Sequence, residues 1–99
     1  MNLTGKQKAY LKKLIHATKP VVMIGGNGVS QQVIRTINEE LTLKELIKIK
    51  FVDFKEQKKE LFPQVAEQVG AVPVDLIGNM GILYRQNEDP EKQKIKIPF

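Results

Sequence analysis

The chain has 99 residues with no cysteine and a single histidine, which excludes disulfide bridges, cysteine-ligated zinc and imidazole clusters. Its length suits one domain with one modest core rather than separate cofactor and substrate domains. A hydrophobic fraction of 41% and a charged fraction of 27% are typical of a soluble globular protein. Because no apolar run approaches about 18 residues and the N-terminus lacks the apolar stretch of a signal peptide, we expect a cytoplasmic protein with no membrane-spanning segment.

The excess positive charge lies at the N-terminal end of the chain. Residues 1–38 contain six basic side chains and no acidic one, whereas residues 39–99 contain ten basic and eleven acidic side chains, and the total is +5. Such asymmetry indicates a polyanionic partner, either a nucleic acid or an acidic membrane surface. A lysine-rich helix that is simply solvated would give the same pattern, so charge alone leaves both interpretations open.

The first predicted helix begins at Thr4, which has capping-box spacing with Gln7, and runs to about Thr18 before Pro20. Its apolar face consists of Leu11, Leu14 and Ile15, and its outward face carries Lys6, Lys12, Lys13 and His16. His16 is interpreted either as an ordinary surface residue or as a residue that stacks on or hydrogen-bonds to RNA.

The middle of the chain predicts two strands separated by a helix. Residues 21–24 form a continuous apolar run, which is typical of a strand buried on both faces. Ser30 is a suitable N-cap for the second helix. Residues 45–52 alternate, which places Lys48 and Lys50 on one face of a second strand. If every helix covered the other face, these lysines would flank an open sheet surface; a merely solvated face is the alternative.

The remaining elements are a third helix and a hairpin. Asp53 and Glu56 have cap spacing for a helix that ends at Gly70, with a break or kink expected at Pro63. Residues 72–77 and 82–85 predict strands joined by a turn at residues 78–81, and Pro73 indicates that the first of them begins late or lies at an edge. Residues 1–86 are thus the predicted domain, and residues 87–99 are a charged, loose C-terminal extension.

The predicted order of elements is α-β-α-β-α-β-β. Helices that alternate with strands favour parallel crossover connections, and the final hairpin adds an antiparallel pair. The fold class is therefore α/β, a single domain with a mixed four-stranded sheet and helices.

The loop at residues 25–28, between a buried strand and a helix start, is the most informative segment. Glycine lets the backbone approach a ligand closely, and a helix N-terminus offers unpaired N–H groups and partial positive charge to a phosphate. Gln31 and Gln32 occupy the first turn, where acidic residues are usual, so the dipole stays available to an external anion. Lysines of the first helix would enclose the site if the two helices packed side by side. The alternative is a tight turn that needs glycine for its geometry only.

Other ligand and catalytic motifs fail in this sequence. A Walker loop would need GxxxxGK, and a dinucleotide fingerprint that starts at Gly26 and Gly28 would need a third glycine where Gln31 stands. Asp53, which follows the second strand, is interpreted as a helix cap rather than a ribose ligand. Spacing assembles no paired carboxylates, metal cluster or nucleophile–base set. We therefore expect no enzymatic activity, no metal and no cofactor.

The chain resembles the CRM domain family (chloroplast RNA splicing and ribosome maturation), and within it the bacterial stand-alone YhbY-type RNA-binding proteins. The matching residues are Leu3-Thr4-Gly5-Lys6-Gln7, His16, Lys19-Pro20-Val21-Val22, Ile24-Gly25, Gly28, Glu45-Leu46-Ile47-Lys48, Ile77-Gly78-Asn79 and Leu83-Tyr84-Arg85. The resemblance implies a fold like the C-terminal domain of initiation factor three and a GxxG loop like that of KH domains, which clamps a nucleic-acid backbone. This chain departs from the family pattern at Gly26, where the family often has a basic residue.

The sequence and this resemblance together predict a monomeric, non-enzymatic protein that grips structured ribosomal RNA through its phosphates. The resemblance implies a role in maturation of the large ribosomal subunit, with ribosomal RNA or a precursor subunit as partner. A protein-interaction module without direct RNA contact is the alternative. We expect no membrane partner, because the basic first helix has only a narrow apolar stripe, which the fold itself needs. The candidate RNA-binding residues are Gly25, Gly26, Asn27, Gly28, Lys6, Lys12, Lys13, His16, Lys19, Gln31, Gln32 and Arg35.

Overall fold

The computed structural model describes residues 2–98, and its element order confirms the predicted α/β arrangement. The helices are α1 (Gly5–Ile15), α2 (Gln31–Lys44) and α3 (Lys58–Gln68), and the strands are β1 (Val22–Ile24), β2 (Leu46–Phe51), β3 (Val72–Ile77) and β4 (Met80–Tyr84). A short 3-10 turn, Pro90–Lys92, follows the last strand. In the described part of the chain, no helix is both long enough and apolar enough to cross a membrane.

The four strands form one mixed sheet in the order β1-β2-β4-β3. Strand β1 runs parallel to β2, whereas the β2–β4 and β3–β4 pairs are antiparallel. Of the two alternatives that Pro73 indicated, the structure shows the edge position: β3 begins at Val72 and has β4 as its one neighbour among the described strands, and proline has no N–H for a second. The hairpin turn is shorter than predicted: Ile77 pairs with Met80, and only Gly78 and Asn79 lie between the strands.

Gly81 belongs to β4 rather than to the turn, and packing explains why it is glycine. A Cβ at Gly81 would lie 2.5 Å from Cε1 of Phe62, so the ring of this α3 residue occupies the space where a side chain would stand. Close packing of a helix on a sheet is the reason for this glycine, and packing between distant segments has no local signal in the sequence.

The caps of the first two helices agree with the sequence, but two helix boundaries differ from the prediction. Thr4 and Gln7 form the predicted capping box, and the Ser30 hydroxyl accepts a hydrogen bond from the Val33 N–H. Helix α1 ends at Ile15 rather than near Thr18. Helix α3 begins only at Lys58, after a turn, so Asp53 is not its cap, and the helix continues through Pro63 without the predicted break.

Helices cover both faces of the sheet. On the face that we call the α2/α3 face, Ile37 and Leu41 of α2 and Val65 of α3 pack against Ile49 and Leu83. On the opposite, α1 face, Leu11 and Ile15 pack against Leu46, Val74, Ile82 and Tyr84. Leu14, predicted to share the apolar face of α1, is 49% exposed. Because α1 lies on the lysine-bearing face of β2, the arrangement with every helix on the other face is wrong.

Strand β1 is not buried on both faces, contrary to the prediction from its apolar run. Val22 and Ile24 are buried on the α2/α3 face, whereas Met23 points to the other face and is 58% exposed. The apolar run reflects burial on one face only, because no helix within residues 2–98 covers this edge of the sheet on the side of Met23.

Residues 87–98 pack against the domain, so the expectation of a loose extension is wrong for them. The Glu45 carboxylate is fully buried and accepts hydrogen bonds from the N–H groups of Asn87, Lys94 and Ile95 at 2.7, 2.6 and 3.0 Å. Ile95 and Ile97 pack on the α1-face core. A single buried carboxylate thus organises the C-terminal segment.

Candidate nucleic-acid interface

The glycine loop forms a closed four-residue turn at the end of β1. The Gly28 N–H donates to the Gly25 carbonyl at 2.9 Å, and Gly28 has a φ of +65°. That conformation is costly for residues with a Cβ, which explains the glycine at this position. Gly26 and Asn27 are exposed at the tip, whereas Gly28 is buried. The tip therefore presents mostly backbone to solvent.

Helix α2 begins directly after this loop and carries an electrostatic feature suited to an anion. No acidic residue occupies its first turn, and its only side-chain cap is Ser30, which satisfies the Val33 N–H at 3.2 Å. The 14-residue helix therefore presents remaining first-turn N–H groups and its positive dipole end to solvent. A phosphate is the ligand that this arrangement favours.

Three other candidate residues lie on the exposed flank of α2. Gln31 and Gln32 occupy the first turn, and the Arg35 guanidinium donates to the Gln32 side-chain oxygen at 3.5 Å. All three side chains are exposed. The loop and the start of α2 thus form one continuous surface, which we call the loop anchor (Gly25, Gly26, Asn27, Gly28, Gln31, Gln32 and Arg35).

Two residues beside the loop were not among the predicted site residues. Asp53 Oδ2 lies 3.9 Å from the point where a Cβ would stand on Gly25 or Gly26. The Phe54 ring lies 3.4 Å from the point where a Cβ would stand on Gly28. Phe54 has a φ of +57° and is 41% exposed. Asp53 was expected to be a cap, and the left-handed backbone that turns Phe54 toward the loop has no sequence signal.

The second group of candidate residues, which we call the α1 anchor (Lys6, Lys12, Lys13, His16 and Lys19), lies elsewhere. Helices α1 and α2 pack on opposite faces of the sheet, so the lysines of α1 do not enclose the glycine loop. Lys13, His16 and Lys19 are exposed near the C-terminal end of α1, and Lys6 is exposed in its first turn. The predicted residues therefore form two anchors rather than one site.

Lys12 is engaged within the domain. Its Nζ lies 2.9 Å from Oδ2 of Asp75 on β3. The hydrogen bond from Lys12 lowers the pKa of the Asp75 carboxyl, partial burial opposes this effect, and the Leu76 N–H assists it. Lys12 is consequently less available to an external phosphate than Lys13.

Lys48 joins the α1 anchor through a direct contact. Its Nζ donates to the main-chain carbonyl of His16 at 2.9 Å, at the C-terminal end of α1. Lys12, Lys13, His16 and Lys48, together with Ile77 and Ile82, line a cavity of about 340 Å³. The alternation of β2 predicted the face of Lys48 but not its meeting with α1, which depends on tertiary packing.

Within residues 2–98, no group of three or more histidine, aspartate or glutamate side chains is placed to hold a metal ion. What the two anchors offer chemically is backbone N–H groups, a helix dipole and exposed ammonium groups. These are the groups that bind phosphates.

The comparisons with known proteins agree with one another. The family profile of the CRS1 / YhbY (CRM) domain matches residues 3–85. A Haemophilus influenzae protein named as an RNA-binding protein is 38% identical over 97% of this chain and 95% of its own length. A Bacillus subtilis protein named as a probable RNA-binding protein is 32% identical over 97% of this chain and 99% of its own length.

A solved structure shows the same fold. The solution structure of a hypothetical Staphylococcus aureus protein, described as a proposed RNA-binding protein, aligns with a TM-score of 0.80 and 35% sequence identity. The alignment covers 98% of this chain and all of that one. With a matching family profile, relatives of similar length and a shared fold, the chain belongs to the CRS1 / YhbY (CRM) domain family.

Proposed function

We propose that this protein is a non-enzymatic RNA-binding domain that grips structured ribosomal RNA mainly through its phosphates. The relatives named above as RNA-binding proteins span nearly the whole chain, which supports RNA as the partner. The observation that carries the proposal is the loop anchor, where an exposed glycine tip precedes a helix with an acid-free first turn. Recognition there uses backbone groups and needs no particular base.

The α1 anchor supplies the second part of the proposed grip. Lys13, His16 and Lys19 are exposed, and a flexible ammonium group neutralises a phosphate without demanding a fixed geometry. Each phosphate that a cation neutralises releases bound counterions, so the affinity should fall steeply as salt rises. Binding at two anchors suits a folded RNA whose backbone presents phosphates at several places.

The proposed biological setting is maturation of the large ribosomal subunit in the cytoplasm, with the protein acting as a monomer. This part follows from the resemblance of its motifs to stand-alone YhbY-type proteins. A precursor subunit offers exposed, structured RNA, which is the ligand that the two anchors suit.

The test is co-sedimentation of the tagged protein with ribosomal particles from its own cells, at low and at moderate salt. We expect enrichment on free or precursor large subunits at low salt and release as salt rises. Migration only at the top of the gradient at both salt concentrations would contradict the ribosomal assignment. Retention of a specific protein partner after nuclease treatment would favour the protein-interaction alternative.

A further inference from the structure

One row of side chains on the α1 face is not covered by any of the helices that the structure describes. Met23, Lys50, Met80 and Ile77 are register partners across all four strands, so they stand side by side on the same face of the sheet. Met23 and Ile77 are 58% and 53% exposed. The α1-face core is built from residues closer to the other end of the strands, such as Leu46 and Tyr84, and stops before this row. We call these four residues the open row.

Positive charge lies within the open row and along one side of it. Lys50 stands inside it, and the cavity described above, with Lys13, His16 and Lys48 in its wall, borders it through Ile77. Asp75, two residues before Ile77 on β3, is an acidic neighbour of the open row on the same face. Its Oδ2 is paired with Lys12 Nζ at 2.9 Å. An apolar strip among cations suits a partner that is both flat and apolar and also negatively charged.

The open row lies between the two anchors. Met23 stands two residues before Gly25, at one end of the row. Lys48, which contacts the end of α1, lies two residues before Lys50 on β2, or about 7 Å along the strand. Four strands about 4.8 Å apart make the row about 14 Å wide, which is enough for a few nucleotides. A chain that touches both anchors can therefore cross it.

We propose that the open row binds the bases of a short unpaired RNA segment, whose phosphates lie on the flanking lysines and on the glycine loop. Methionine thioethers make favourable contacts with aromatic rings, and the Lys50 ammonium can lie over the face of a base. Ile77 adds an apolar contact. The side chains read no base edge, so the segment is bound with little sequence preference.

The open row can contact only those RNA bases whose faces are exposed, and this determines the kind of RNA that it binds. Base faces are stacked and hidden inside a duplex, so only unpaired nucleotides can cover Met23 and Ile77. This inference rests on the proposed RNA-binding function and adds that the RNA presents a single-stranded segment next to its structured part.

The experiment compares two RNA probes and three proteins. The probes are a fluorescent oligoadenylate of about ten nucleotides and a short RNA duplex, and the affinity for each is measured by anisotropy at low salt. The proteins are the wild type, the double variant Met23→Gln/Ile77→Thr, and the control Leu43→Gln, which alters an equally exposed apolar residue on α2. Circular dichroism and urea unfolding establish that each variant is folded.

We expect the double variant to bind the single strand at least about fivefold more weakly and to keep its duplex affinity within about twofold, since stacking contacts contribute only where bases are exposed. The control should match the wild type on both probes. A folded double variant with unchanged single-strand affinity, or a wild type that binds the duplex alone, would overturn the inference and leave the proposed function standing. A wild type that binds neither probe, nor ribosomal particles, would overturn the proposed function itself.

Discussion

Gly28 has the most demanding backbone of any residue in the glycine loop. Its φ is +65°, and a Cβ there would meet the Phe54 ring at 3.4 Å. We expect Gly28→Ala to lower the free energy of unfolding by about 1–2 kcal/mol, because a residue with a Cβ is strained in this conformation. Urea unfolding measures the change. Gly26→Ala is the control, since Gly26 is exposed, and its effect should stay within about 0.5 kcal/mol. Equal effects at the two positions would contradict this account of the loop.

Asp53 places a negative charge beside the tip of the same loop. We expect Asp53→Asn to raise the affinity for RNA about threefold at low salt, because a carboxylate several ångströms from a bound phosphate opposes binding by somewhat less than about 1 kcal/mol in water. The gain should shrink as salt rises. Anisotropy titrations with an RNA duplex measure it. Glu88→Gln, an exposed position near the opposite end of β2, serves as the control; the same gain there would show a general charge effect instead.

The sequence predicted the loop residues but not their neighbours. Glycines between an apolar run and a good cap are a local pattern, so Gly25, Gly28 and Ser30 were found directly. Asp53 and Phe54 reach the loop because the N–H groups of Val52 and Asp53 both bond to the Ile24 carbonyl. That contact joins segments about thirty residues apart, and no spacing in the sequence encodes it.

Among the larger elements, the C-terminal segment depends on the buried Glu45 carboxylate. In Glu45→Gln, the side-chain oxygen can still accept from the N–H groups of Lys94 and Ile95. The side-chain NH2 group would then face the Asn87 N–H, so two hydrogen-bond donors would oppose each other. We expect a loss of about 1–3 kcal/mol in the free energy of unfolding. Hydrogen exchange at the Lys94 and Ile95 amides should become faster. Unchanged exchange and stability would show that Glu45 does not hold the segment.

The contact between α1 and β3 should depend on pH in a defined direction. The lowered pKa of Asp75 means that the folded protein binds this proton more weakly than the unfolded chain. The ion pair with Lys12 therefore stabilises the fold above the unfolded-state pKa, near 3.9, and this stabilisation is lost as the pH falls through the lower folded-state pKa.

Asp75→Asn provides the test, since an asparagine keeps the acceptor for the Leu76 N–H. Both partners are more than a third exposed, so we expect a cost below about 1 kcal/mol near pH 7. The cost should shrink toward zero as the pH falls through the lowered pKa of Asp75 in the folded protein. Urea unfolding of both proteins across pH measures the difference. A cost that stays constant down to low pH would contradict the ion-pair explanation.

Among the helices and strands, the sequence predicted the features that depend on neighbouring residues and missed those that depend on contacts between distant segments. The capping box of α1 and the alternation of β2 were predicted because both lie within a few neighbouring residues. The exposure of Met23 was missed because an apolar run does not reveal which face of an edge strand is covered. The docking of residues 87–98 was missed because the buried carboxylate that holds them lies more than forty residues earlier.

At the scale of the whole molecule, the sheet separates the two anchors. Net positive charge belongs to the first 38 residues, and the fold places part of it on α1 and part on the flank of α2. Because one phosphate cannot reach both anchors, the proposed RNA would have to contact the protein at several points. The logarithm of the affinity should then fall with the logarithm of salt, with a slope of about 0.7–0.9 per phosphate contacted.

The measurement that tests the central claim most directly compares Gly26→Asp with Gly26→Asn for binding to an RNA duplex as salt is varied. The two side chains have the same shape and stand at the exposed tip of the loop. They differ in charge and in one group, since the asparagine amide donates where the aspartate carboxylate only accepts. If the loop holds a phosphate, Gly26→Asp should bind about tenfold more weakly than Gly26→Asn at low salt, and the difference should shrink as salt rises. Equal affinities for two equally stable variants would show that no phosphate lies at the glycine loop.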